Sequence, residues 1–369
     1  MEKRIGFEEL KEFVTAALLK MGYSEKSAAI TAVCLVEADA RGIYSHGSAA
    51  LNLYRTHTSP GGCIDINAAE PSVVFETPIS AVLDGFNGVG FYIAEVCAGL
   101  CVEKAKQTGL SVVLARNANH YGFAGYWTEL MAKSGLIGIT CCNTVRCVCP
   151  TRSAERILGT NPIAAAFPLA NGKIFMADMA TSIIAQGKLN RSNSFGTEGV
   201  MRDGFIIDEQ GNPVNSVKQA LEIFANRDGN GGLFPIGGDE YHRGYKGFAI
   251  SLIVELLTGG LTRGVSSKYI RTNTTGISLF FMAIDPGILG DKDTIAAHME
   301  GMLSEYKNAK PIDPALPVLL PNEIETGHRE DALKQGIPFS ENVYKVLRDA
   351  AKQLGLEERL GKITIPAQF

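Results

Sequence analysis

LDGFNGVGFYIA, residues 83–94, joins an apolar alternating run to a helical one, which is where a dinucleotide-binding glycine turn would stand. Its glycines fall at 85, 88 and 90 and miss the G-x-G-x-x-G spacing that brings a backbone onto a pyrophosphate. No acidic residue about 20 positions later closes a second strand as the usual ribose partner. The stretch therefore reads as a glycine-rich turn into a helix, and a Rossmann site is excluded there. G-x-x-x-x-G-K-[ST] and G-x-S-x-G are also absent, which removes the ordinary signals of P-loop chemistry and serine hydrolysis.

Outward from this turn the texture is α/β. SVVFET (72–77) and ISAVLD (79–84) alternate as strands, FYIAEVCAGLCVEKAKQTG (91–109) reads as a helix, and LSVVLARN (110–117) as the next strand. Further strands are expected at IGITCC (137–142), AAAFPL (164–169), KIFMADM (173–179), GFIID (204–208) and ISLFFMAID (277–285), with a long helix at KGFAISLIVELLTGGL (246–261). Residues 7–23 and 24–40 read as two helices, the second opening on Ser24 as N-cap, and SENVYKVLRDAAKQLG (340–355) is helical again. The two chain ends are expected to pack as one helical domain, 1–75 plus 310–369, around an inserted sheet domain, 76–309. Residues 189–240 are rich in Gly, Asn and Asp with weak periodicity and read as long surface loops.

Composition narrows the partners. The chain has 369 residues, 46% of them hydrophobic, enough for a large core. Lys and Arg number 35 against 39 Asp and Glu, for a net charge of −4, so the basic surface that nucleic acid requires is lacking. No run approaches the roughly 18 apolar residues of a membrane span, and the N-terminus is charged and amphipathic, so a cytoplasmic protein is expected. Eight cysteines, at 34, 63, 97, 101, 141, 142, 147 and 149, read as thiols. CCNTVRCVC (141–149) lacks the paired spacing of a zinc site, and no metal is expected.

Two histidines stand in reactive settings. His120, in NANHYGFAGYW (117–127), follows a strand end, where side chains overlook the crevice that holds ligands in α/β sheets. His46 lies between Ser45 and Gly47. Imidazole exchanges a proton near neutrality, so either suits general acid or base work, the alternative being a ring held on a backbone carbonyl. Thr160 and Asn161, in GTNPIAAAFP (159–168), form a polar elbow that can present a hydroxyl and an amide to a ligand. Asp178, in MADMATS (176–182), can hold a ribose or cap a helix. Lys246 opens an apolar helix, where a cation gains nothing from the helix dipole; an anion such as pyrophosphate, or simple exposure on a loop, accounts for it.

Together RGIYSHG (41–47), NANHYGFAGYW, GLIGITCCNT (135–144), LGTNPIAAAFP (158–168), DMATSIIAQGK (178–188), YKGFAISLIVELLTGGL (245–261) and LPNEIE (320–325) resemble the type 2 malate/L-lactate dehydrogenase family. The resemblance implies a non-Rossmann mixed-sheet domain inserted in a helical one, a homodimer, and a cofactor that is NAD or NADP. It implies hydride transfer between nicotinamide and C2 of a small 2-hydroxy or 2-oxo acid of malate or lactate type. His120 matches the family's proton acceptor and His46 the histidine of Ser-His-Gly. Thr144, Asp178, Met179, Ala180 and Lys246 match cofactor contacts, and Pro321, Asn322 and Glu323 match a Pro-Gly-Glu cofactor segment with Asn in place of Gly.

One departure is serious. The family pattern Ser-His-Gly-x-x-Arg-Leu-x-Arg-Tyr has two arginines where this chain has Ala50 and Leu53. The first grips the substrate carboxylate, so another cation must take that task; Arg146 and Arg152 are the candidates, with Arg55 and Arg41 behind them. An imine substrate or a weakened nucleotide-binding relative are the rival expectations.

Overall fold

The computed structural model describes residues 3–185, 204–271 and 276–366. In chain order its elements begin with β1 (Lys3–Ile5), α1 (Phe7–Lys20), α2 (Glu25–Ala40), α3 (Leu51–Thr58), β2 (Ser72–Thr77), β3 (Ser80–Asp84) and α4 (Gly90–Thr108). Next come β4 (Leu110–Ala118), α5 (Ala124–Lys133), β5 (Ile137–Cys142), β6 (Ile163–Pro168), β7 (Ile174–Met179), β8 (Ile206–Ile207), α6 (Val217–Ala225) and β9 (Gly232–Leu233). The chain continues through α7 (Tyr245–Glu255), β10 (Ile277–Ile284), α8 (Lys292–Lys307), α9 (Glu323–Gln335), β11 (Ile337–Phe339), α10 (Glu341–Gln353), α11 (Glu357–Ile363) and β12 (Thr364–Pro366).

Seven strands form one mixed sheet in the order β2-β3-β4-β10-β5-β6-β7. Among its described strands only β3 and β4 run parallel, and α4 makes the crossover that such a pair needs. A doubly wound nucleotide fold repeats parallel pairs, so the mixed α/β class follows and the Rossmann alternative falls. Pairing also collects strand ends on one edge. Ala118, ending β4, faces Ile277; Cys142, ending β5, faces Leu279; and Ile163, opening β6, pairs with both Cys141 and Met179. The segments around 119–122, 143–146, 160–161 and 180–182, and Arg271, therefore gather along one side of the sheet.

A second sheet, β11-β1-β12, sets the first strand between two late ones. α1 buries Leu10, Phe13, Val14, Ala17 and Leu18, a stripe at helical spacing. α2 starts where Ser24 Oγ accepts the Ser27 N–H at 3.2 Å, and it is buried along most of its length.

Part of the expected loop region is folded. Residues 204–240 hold the β8–β9 pair and α6, whose Val217 and Ala220 join a small core with Cys147, Val148, Leu158, Ile206 and Leu233. The strand expected at 204–208 is present as the two-residue β8, whereas β9, also two residues long, shows no period, which is why sequence pattern misses it. α8 is likewise silent, because it buries none of its residues and so carries no apolar stripe.

All eight cysteines are free and buried. Burial raises the thiols of Cys63 and Cys101 to about 11 and those of Cys141, Cys147 and Cys149 to about 12, so they pack rather than react. Among the described residues no group of three or more His, Cys, Asp or Glu is arranged to hold a metal ion, and no helix is long and apolar enough to cross a membrane.

The glycine turn has a task inside the fold. Asp84 accepts the Phe86 N–H at 3.0 Å, Asn117 Nδ2 at 2.9 Å and Arg116 Nε at 2.9 Å. Asn119 Nδ2 donates toward Asn87 O at 2.8 Å, Gly88 O at 2.9 Å and Cys63 O at 3.2 Å. A Cβ at Gly90 would lie 2.2 Å from Asn119 O and 2.4 Å from His120 O, so the bare glycine lets the segment after β4 rest on the first turn of α4. The close approach is to the chain itself rather than to a phosphate. Gly90→Ala is expected to lower stability by about 1–3 kcal/mol, seen as a lower urea midpoint at unchanged slope.

On α2, Asp39 is fully buried and its Oδ2 accepts the Ser48 N–H at 2.8 Å. Burial raises its pKa to about 7, against the Ser48 hydrogen bonding that favours the charge. An unfolded aspartate titrates near about 3.9, so the contribution of the neutral carboxyl is full below that pH and is lost as pH rises through the folded value. Asp39→Asn removes this slope. Urea unfolding at pH 5 and pH 8 is expected to find the variant gaining on the wild type as pH rises.

Candidate active site

His120 takes its place from the turn just described, since Asn119 is tied to the glycine loop immediately before it. Its Nδ1 lies 2.8 Å from Tyr54 Oη and 3.3 Å from the Gly122 backbone nitrogen. An amide can only donate, so Nδ1 accepts, and the neutral ring in this arrangement carries its hydrogen on Nε2. Tyr54 is fully buried on α3, with Phe91 edge-on at 5.6 Å. His46 comes from the short turn Tyr44–His46 between α2 and α3, and Ser45 Oγ is 2.9 Å from its Nδ1. The His46 and His120 rings stack, their centroids 5.4 Å apart and their planes 24° from parallel.

Both rings line one cavity of about 300 Å³. Thr144 and Thr160 also line it, and four arginines, Arg146, Arg156, Arg227 and Arg271, reach its walls. Leu53, at a position where the family pattern has arginine, lies on the same wall surface. Two imidazoles facing one space can share a proton with a single oxygen, while a guanidinium nearby can hold an anionic group.

The arginines leave the cavity short of negative charge. Arg146 has a side chain only 9% exposed; Nη2 donates to Arg227 O at 2.8 Å, but the buried Nε has no hydrogen-bond partner. Burial lowers its pKa and the nearby Arg271 lowers it further, with Asp228 and Glu155 opposing. Asp228 stands 3.5 Å from Arg146 and 3.6 Å from Arg271, yet it is 91% exposed and water screens its charge. Arg156 is buried, with Nε on Gly229 O at 3.0 Å and Nη2 on Asn226 O at 2.6 Å; burial, then Arg146, lowers its pKa too.

The remaining sequence candidates stand in distinct settings. Thr144 Oγ1 accepts the Thr160 N–H at 3.0 Å, and Asn161 sits beneath them, fully buried. Its amide is engaged inside the protein, with Nδ2 on Glu255 at 2.8 Å and Oδ1 accepting the Thr144 N–H at 3.2 Å. Arg152 lies at the surface on Glu240, 76% exposed. Arg41 is buried between Glu129, at 2.7 Å, and Glu37, at 3.5 Å; neither it nor Arg55 lines the cavity.

Asp178 occupies a solvent-open position of β7, but its carboxyl accepts the Gly125 N–H at 2.7 Å at the start of α5. Protein atoms crowding the carboxyl raise its pKa to about 6; the Gly125 and Ala124 amides oppose this and Glu325 adds to it. Met179 and Ala180 follow at that exposed strand end, and Lys246 is exposed on α7. Asn322 has φ 68° just before α9, and Glu323 pairs with Lys307.

Sequence reasoning passed over Tyr54, His57, Arg156, Arg227 and Arg271, all near the histidines. Tyr54 carried a signal in the quoted Ser-His-Gly pattern, which ends on it; the arginines carried none, because they lie in segments without periodicity.

Comparison with known proteins gives this arrangement its lineage. The sequence model of the malate/L-lactate dehydrogenase family matches residues 5–348. The chain is 37% identical over 359 residues to a malate dehydrogenase of Pyrococcus abyssi, covering 96% of each, and 34% identical over 354 residues to an L-sulfolactate dehydrogenase of Methanocaldococcus jannaschii, covering 95% of this chain and 96% of that one. Among solved structures, malate dehydrogenase from Entamoeba histolytica superposes with a TM-score of 0.89 at 27% identity, covering 100% of both chains. That of Pyrococcus horikoshii does so with a TM-score of 0.85 at 34% identity over 96% of both. On this match of sequence and fold, the chain belongs to the malate/L-lactate dehydrogenase family, whose relatives here are oxidoreductases.

Proposed function

We propose that the protein is an NAD(P)-dependent dehydrogenase that moves a hydride between nicotinamide and C2 of a small 2-hydroxy or 2-oxo acid, with Arg146 and Arg271 as the anion clamp. The observation that carries this reading is the shared cavity, in which two stacked imidazoles meet a buried guanidinium nitrogen lacking a partner. A carboxylate on that wall would offset the repulsion between Arg146 and Arg271. The clamp thus comes from other segments of the chain than in the family pattern.

Four arginines on the cavity lining favour a dianionic substrate, such as a dicarboxylate, over lactate. Thr144 and Thr160 offer hydroxyls beside the reacting carbon, and Asn161 acts beneath them by holding the Thr144 amide.

Oxidation uses the other tautomer, with the ring hydrogen on Nδ1 donated to Tyr54 Oη, so that Nε2 takes the substrate hydroxyl proton as the C2–H bond breaks; in reduction the protonated ring returns that proton to the new alkoxide. His46 shares or relays that proton. The Tyr54 hydroxyl can both donate and accept, so it can follow His120 Nδ1 as the ring changes protonation state.

The residues expected to hold the dinucleotide fit it, since Asn322 already adopts the left-handed backbone that glycine would supply in the Pro-Gly-Glu segment. Thr144, Asp178, Met179, Ala180, Lys246, Asn322 and Glu323 would bind it, and when bound it supplies the acceptor for the hydride. The relatives' names favour such chemistry, ureidoglycolate dehydrogenase (NAD(+)) of Escherichia coli among them. A homodimer in the cytoplasm is the setting we infer.

His120→Gln is expected to lower kcat by about 10²–10⁴-fold while NADH binding, followed by fluorescence, stays in place. Tight NADH binding by the wild type with no turnover on any 2-oxo acid, or turnover of cyclic imino acids alone, would sink this reading. Arg146→Met keeps an unbranched apolar stem without the charge and is expected to raise KM for a 2-oxo dicarboxylate about 10- to 100-fold. Oxalate inhibition should weaken in parallel; an unchanged KM and unchanged oxalate affinity would remove Arg146 from the clamp.

A further inference from the structure

Gly47, directly after His46, has φ −93° and ψ −166°, extended backbone that any residue can adopt. Its need for glycine is one of space: a Cβ there would lie 1.7 Å from Asp39 Oδ1. Asp39 enters beneath the turn from α2, fully buried, and its Oδ2 takes the Ser48 N–H at 2.8 Å. Oδ1 and the Ser48 hydroxyl are both buried beside this contact. The turn's other end is held by Tyr44 Oη, which donates to Pro338 O at 2.6 Å.

Charged neighbours are engaged elsewhere. On α2 itself Glu37 is bound to Arg329 of α9 at 2.7 Å, and Arg41 is bound to Glu129 of α5 at 2.7 Å. His328 of α9 faces the Arg41 carbonyl at 3.4 Å. The groups that act on the Asp39 charge are its burial and Ser48.

We propose that Asp39 is the positioning residue of the His46 turn: its carboxyl holds the Ser48 amide from below, fills the volume that a side chain at 47 would occupy, and so sets His46 over His120. The glycine of Ser-His-Gly then serves the aspartate rather than a ligand. This inference rests on the reading that His46 belongs to the site.

A double-mutant cycle tests it, with kcat, KM and His46 ring NMR shifts measured for Gly47→Ala, Asp39→Ala, the double variant, and Asp39→Asn. Displacement of a catalytic ring by about 1 Å costs on the order of 100-fold, so Gly47→Ala is expected to lose roughly 10- to 100-fold in kcat with KM for NADH unchanged. Asp39→Ala should lose less and shift the His46 signals. The double variant should be no worse than Gly47→Ala, because removing the carboxyl relieves the clash, and Asp39→Asn, which still accepts the Ser48 N–H, should restore kcat and the shifts.

Losses that multiply in the double variant, an Asn variant as impaired as the Ala one, or a fully active Gly47→Ala would overturn the proposal. His46→Gln separates it from its premise. Full activity there removes His46 from the site and overturns both, whereas a large loss alongside silent Asp39 and Gly47 variants overturns the positioning role alone.

Discussion

One interlock of backbone on backbone sets the rest of the site: the segment leaving β4 rests on the first turn of α4 because Gly90 presents no side chain to Asn119 O and His120 O. The Asn119 amide then laces that segment to the glycine loop. In a Rossmann enzyme such glycines admit a pyrophosphate. Here the same economy of atoms admits the chain itself, and what it delivers to the sheet edge is an imidazole. The residue types of a nucleotide turn are kept while their partner has changed.

The charge balance of the cavity follows from where the arginines come from. Arg146 follows β5, Arg271 precedes β10, and Arg156 and Arg227 come from the lobe around α6. None depends on the turn carrying Ala50 and Leu53. The arginines of the family pattern are absent from that turn, while four others line the cavity from separate segments.

Much of this was legible because the sheet strands are long enough to alternate, and the candidate residues stand just beyond their ends. His120 after β4 and Thr160 before β6 could be picked out for that reason, whereas Thr144 after β5 came with the family resemblance. Tyr54 was harder: it sits beyond two short 3₁₀ turns, where no period links it to a partner on another element. Asn161 looked like a ligand contact from its polar elbow, but burial and four inward hydrogen-bond partners are tertiary facts that spacing cannot carry. Arg146 and Arg152 looked equivalent in one segment, and only the fold separates a cavity wall from open surface.

The seating of β10 between β4 and β5 has a bearing on biosynthesis. As the chain leaves the ribosome, β2-β3-β4 and β5-β6-β7 are two half-sheets, each with an unpaired inner margin until residues 277–284 emerge. Such margins invite mispairing, and closing them joins residues far apart along the chain, which makes assembly slow. His120 and Thr144 therefore come to face one another only when this late strand docks, so a nascent protein halted before it would hold the parts of an enzyme without its centre.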